Sequence, residues 1–527
     1  MKSFYEHLRS RLEFGEQIQE PRKPVLRSSA IFPVVQNSIY TTQLLFMGYW
    51  LIKRDIPDIT STITLRNKFG NILKKESIPI TETRSYSVNL DTMLKDIPNN
   101  SDFLGSLEVE FFSTQDMVYP FPAVVLNYFN NEFNTCVHSI GRIYNDLEDL
   151  TENEKFSVPE TGFDIYSDDD LSSFLSFVNG PTINGNGVID YTITNHESKK
   201  FNGQISIGKI NSFETVFIKF SKYIPKLNKF LNGKSGSISI KHNFSGFYPR
   251  FLVGNIQNSF PSVSFTHSYY DCTSCDSSSD YWDRLSEDYH DSSVYIPLFT
   301  EENKFTELAI YPNLSPSLIN LQIDLYDNKG KIFKSIPNYI QIDSLKSKLL
   351  KINFNQLLSK FNLSSKNICS AHIITNSENR KIPTRMKFGL NIGAKNQKSN
   401  IPCNICFNSK LGNPLIENKP GSFHWCPIFN DKKSVVTIGN FSPKKIYSKS
   451  AKITLTFYHE QDSQLLQKEI EILPNAEYRF ELEKNDDVQS FLHKSNGWIT
   501  FKSDNPFVQG YYFNFHPSGS VAGDHWF

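Results

Sequence analysis

The chain has 527 residues, enough for three to four domains of ordinary size, each able to bury its own core. Lysine plus arginine and aspartate plus glutamate number 55 each, so the formal net charge is zero and the chain as a whole carries no footprint for nucleic acid or an anionic membrane. The 43 phenylalanines and 24 tyrosines favour half-buried pleated surfaces, which points to an all-β protein.

The first residues, Met1 to Arg9, hold no apolar signal core. The longest apolar stretch, residues 44–52, is too short to span a bilayer, so a soluble, cytoplasmic protein is expected. The seven cysteines, at 136, 272, 275, 369, 403, 406 and 426, form an odd set, which argues against a secreted disulfide framework. Residues 1–28 read as an N-terminal helical or flexible arm: a charged helix over 4–19, ended by Pro21 and Pro24.

From Ser29 onward, runs of five to nine residues alternate polar and apolar, with Asn, Gly, Asp and Pro between them. Four hairpins stand out, opening at Ser61, Asp190, Leu321 and Ala451; the Asp327-Asn-Lys-Gly330 turn has the clearest chemistry, because Asn and Gly tolerate positive φ. Matching runs follow each hairpin, at Arg84, Glu214, Lys348 and Ala476, then at Gly105, Gly236, Cys369 and Gly497. Leu65, Thr194, Leu325 and Phe457 align at spacings of 129, 131 and 132 residues. The expected fold is therefore four tandem antiparallel β-sandwich domains built on an internal repeat of about 130 residues, at 29–145, 160–285, 286–410 and 411–527. An acidic linker, 146–159, separates the first two. Pairing of the domains is expected, because it would cover sheet edges that otherwise invite aggregation.

In the fourth repeat, Thr454-Leu-Thr-Phe-Tyr458, Ile472-Leu-Pro-Asn-Ala-Glu-Tyr478 and the strand after Ser503-Asp-Asn-Pro506 resemble the sensory rhodopsin transducer family. Those are small β-sandwich proteins with a carbohydrate-binding-like fold. The resemblance implies the fold alone, and no functional residue is carried over from it.

Each repeat closes on a related signature. Three end in histidine, His138, His267 and His525, and the third has Asn408 there instead. Asp271 and Asp524 lie close to two of them, and histidine beside a carboxylate can ligate a metal or act as a general base. A recurrent histidine at a strand end can equally bond a backbone carbonyl and pin the loop. Asn408 fits that hydrogen-bonding role and counts against catalysis common to all repeats. Tyr269, Tyr270 and Trp526 could stack on the apolar faces of sugar rings or close the sandwich ends as core. Cys272-x-x-Cys275 and Cys403-x-x-Cys406 have the spacing of paired zinc ligands, so a structural zinc bridging them, where repeats two and three pack, is the cofactor the sequence suggests. There is no phosphate-cradling glycine loop, dinucleotide fingerprint, nucleophile elbow or His-Glu-x-x-His.

These features lead to the expectation of a non-enzymatic binding or scaffold protein, with no catalytic residues assigned. A glycan or surface-polysaccharide-related ligand, or a protein, is the expected partner, with no nucleic acid and no membrane span. The alternatives are a metal-dependent enzyme with a His/Asp site at a repeat interface, and a structural assembly component.

Overall fold

The computed structural model describes residues 24–98, 101–138, 141–143, 160–248, 250–270, 281–282, 284–301, 303–312, 317–343, 348–383, 386–430 and 433–527. The N-terminal arm up to residue 23 and the acidic linker 146–159 lie outside them.

The first repeat has eight main strands: β1 (Arg27–Gln36), β2 (Thr41–Met47), β3 (Ile59–Asn67), β4 (Ile72–Ile80), β5 (Ser85–Asn89), β6 (Phe103–Phe112), β7 (Val124–Phe129) and β8 (Asn134–His138). They form two antiparallel sheets in the orders β1-β6-β3-β4 and β5-β2-β7-β8. Each of the other three repeats places its eight main strands in the same two orders. In the second and third, a short extra strand, Tyr269–Tyr270 or Lys410–Leu411, adds to the free side of the first strand. The fold is all-β: four tandem antiparallel sandwiches, with eight main strands each.

Alternation makes the sandwiches. Along β6, Leu107, Val109 and Phe111 are buried in the core, while Glu108, Glu110 and Phe112 share the opposite face. The third and sixth strands pair through the core residues Leu65↔Leu107, Ile193↔Ile238, Leu325↔Ala371 and Phe457↔Ile499. The structural counterpart of Leu65 in the second repeat is thus Ile193, one residue before the Thr194 expected. Side chains alternate at every residue on a strand, so that shift decides which one faces the core.

A short helical element follows every fifth strand: Leu90–Leu94, Phe220–Tyr223, Phe354–Lys360, and the 3-10 turn Leu482–Lys484 with the helix Asp486–Phe491 behind it. Leu90, Phe220, Phe354 and Leu482 are all buried, so each element starts by plugging one end of its sandwich. Asn353 caps the third, its side chain accepting from the Gln356 N–H.

The first two repeats, apart from His196–Lys199, form one compact unit, and the last two, apart from Gln461–Ser463, form a second. No helix among the described residues is long and apolar enough to cross a membrane.

Candidate functional site

In the first unit, the closing strands Asn134–His138 and Ser262–His267 of the two repeats lie against each other. The Phe265 N–H donates to Thr135 Oγ1 at 2.8 Å, and the Tyr128 and Phe265 rings pack with centroids 4.2 Å apart. In the second unit, Cys403–Asn408 and Val521–His525 meet in the same way, with Cys403 Sγ donating to the Gly523 carbonyl at 3.4 Å.

A second contact accompanies each pair. Gly70, in the β3–β4 turn, has φ +87°, and a Cβ there would fall 2.2 Å from the Ser212 carbonyl oxygen, in the turn before the fifth strand of the second repeat. Gly330, in the matching turn of the third repeat, has φ +82°, and its Cβ would fall 2.2 Å from the Pro474 carbonyl oxygen of the fourth. The receiving turns also agree, with Phe213 and Asn475 both at positive φ. One joint is therefore built twice, and only glycine suits its turn.

The joint of the first unit brings two of the predicted histidines together. His138 and His267 are both fully buried, their rings edge to face with centroids 4.5 Å apart. His267 Nδ1 lies 2.8 Å from the Ser268 carbonyl oxygen. A carbonyl can only accept, so Nδ1 is the donor and carries a proton. His525 makes the same bond to the carbonyl of the next residue, Trp526, at 2.7 Å, and its side chain is 30% exposed. Its Nε2 stands 4.0 Å from Asp524 Oδ1, which accepts from the His525 N–H. Asn408 ends the closing strand of the third repeat.

The remaining predicted residues are distributed differently. Trp526 is buried and stacked on Phe501, with centroids 4.0 Å apart and planes 12° from parallel, so that face is closed to a sugar. Gly510 makes room for it, since a Cβ there would lie 2.3 Å from the indole. Tyr269 and Tyr270 pair with Thr161 and Glu160, but their side chains lie outside the described residues, as do Asp271, Cys272 and Cys275 altogether. Cys403 and Cys406 are both buried on one extended strand. Three residues apart on a strand, they project to opposite faces, whereas a zinc knuckle presents both thiolates from a turn.

A groove of about 690 Å³ crosses the end of the β1-β6-β3-β4 sheet. Its floor is one transverse row of cross-strand neighbours, Arg27↔Phe112↔Thr60↔Pro79. The Phe112 ring is 39% exposed, and Thr60 and Thr81 are exposed beside it. Asp58 fixes the rim. Its carboxylate accepts from the Thr114 N–H at 2.8 Å and the Thr114 hydroxyl, the Ser113 hydroxyl at 3.1 Å and Gln115 Nε2 at 3.0 Å. The hydroxyl and N–H of Thr114 hold its pKa down to about 2, so it stays ionised at neutral pH.

No family model and no curated protein matches this chain. The groove escapes a reading of the sequence because its wall residues come from four separate stretches near 26, 58, 80 and 113, none with a motif of its own. Buried ionic clusters escape it for the same reason. Glu108 sits between Arg66 at 2.8 Å and Arg27 at 3.3 Å; burial pushes its pKa up, and the two guanidiniums oppose that. Glu477 of the fourth repeat accepts from Tyr295 Oη of the third at 2.5 Å and from Arg479 at 2.7 Å. Arg479 also donates to the Leu298 and Cys369 carbonyls. Glu477 and Arg479 tie two sandwiches together within the second unit, and removing either would leave the other's buried charge uncompensated.

Proposed function

We propose that this chain is a non-enzymatic binding and scaffold protein whose ligand is a glycan, taken up in the groove at the end of the first sandwich. The observation that supports this reading is the exposed Phe112 ring flanked by the hydroxyls of Thr60 and Thr81. A sugar ring has an apolar C–H face and a rim of hydroxyls; an open aromatic ring meets the first, and threonine hydroxyls meet the second. The groove volume falls in the range of small-ligand sites. Asp58 acts as a positioning residue, because its oxygens are occupied in holding the 113–115 turn. The paired sandwiches serve as the rigid support.

The test is a glycan array probed with the full chain, followed by titration of any hit. Binding to at least one glycan class is expected, with affinity falling about tenfold in Phe112→Ala. An empty array, or a hit whose affinity is unchanged in Phe112→Ala, contradicts the reading.

A further inference from the structure

We propose that His138 and His267 are two ligands of a divalent transition-metal ion. The inference is independent of the groove and rests on the geometry of the joint in the first unit. The two residues end the closing strands of different repeats, yet one ring nitrogen of each lies within 4.8 Å of one of the other. Two imidazole nitrogens on one tetrahedral zinc stand about 3.3 Å apart, so small side-chain rotations close the difference.

At His267 the hydrogen bond that would orient a ligand ring is already made. A metal-bound histidine usually donates its other N–H to a carbonyl or carboxylate, which fixes the tautomer and the ring plane. The Ser268 carbonyl does this for Nδ1, making Nε2 the ligating atom. Both rings are buried, so an ion held between them would be shielded from bulk water. Imidazole donors suit zinc, copper, nickel, cobalt and iron and select against magnesium and calcium. The second unit does not repeat the pair, because asparagine stands at 408 and offers no comparable nitrogen donor.

The experiment uses the full-length chain purified without a tag, stripped with a chelator and titrated with Zn²⁺ or Co²⁺. The expected result is one ion per chain, with an X-ray absorption spectrum showing at least two imidazole ligands. His138→Asn and His267→Asn, which keep a hydrogen-bonding side chain but remove the ligand nitrogen, should each weaken binding by at least the roughly 10–100-fold that losing a ligand's own hydrogen-bond partner costs. The proposal is overturned if the wild-type chain takes up no ion, or if the double variant binds as tightly as wild type. Should the variants fail to fold, the wild-type spectrum decides alone: a bound ion without imidazole ligands also overturns it.

Discussion

His242 and His372 lie on the sixth strands of the second and third repeats, enclosed by aromatic rings. His242 packs between Phe244 and Phe251, and His372 against Phe441. Burial pushes their pKa values down to about 4 and about 3, far below an ordinary imidazole. A histidine depressed in the fold gains protons first in the unfolded chain. Above pH 6.5 neither state is protonated and nothing is lost; below it, stability falls by about 1.4 kcal/mol per pH unit for each group until the folded pKa is reached. Urea unfolding of His372→Asn at pH 7 and pH 4.5 measures this. The variant should lose about 2–3 kcal/mol less than wild type between the two pH values. Equal losses would show that His372 is not the group that titrates. Neither residue stands out in the sequence, since burial and ring contacts come from strands far apart in the chain. The closing histidines were visible because they recur, but recurrence could not say that 138 and 267 would meet.

At the scale of elements, most strands were legible because alternation and turn residues are local signals. The hairpin opening at Ala451, for example, folds as Ala451–Tyr458 and Leu465–Ile472. The fourth strand of the third repeat is long, Ile332–Asp343, and its full length is not evident from the sequence. Pro337 and Asn338, the latter at φ +48°, look like a turn in the sequence; on this edge strand they are an irregularity in the ladder with Leu318–Tyr326. The short helices were missed because four to seven residues show no helical period. The joint turns belong at this scale too. Gly70→Ala and Gly330→Ala each put a Cβ on a positive-φ residue and against a neighbouring carbonyl oxygen. Each should cost more than about 1 kcal/mol, read as a lower midpoint in urea. A midpoint unchanged in both would mean the turns are free to move away from their partners.

Across the whole chain, one sandwich plan is used four times and one joint twice. The fourfold plan was in the sequence as a spacing of about 130 residues, and pairing followed from the need to cover edges. Which turn meets which could not be read, because it depends on a carbonyl oxygen more than 140 residues from the glycine it touches. Of the aromatic ends, for which a sugar contact and a core role both stood open, Trp526 goes to the core. An indole such as Trp526 gains more by stacking on Phe501 behind a glycine than by standing in water.

That two sandwiches are locked as a pair by a joint built twice is tested most directly by hydrogen exchange on the full chain, comparing wild type with Gly70→Ala and Gly330→Ala. Gly70→Ala should speed exchange at residues 67–71 and 211–215 and along the closing strands Asn134–His138 and Ser262–His267. Gly330→Ala should do the same at 327–331 and 473–477 and along Cys403–Asn408 and Val521–His525. Exchange that quickens only around the substituted turn, leaving the partner repeat protected as in wild type, would contradict the account.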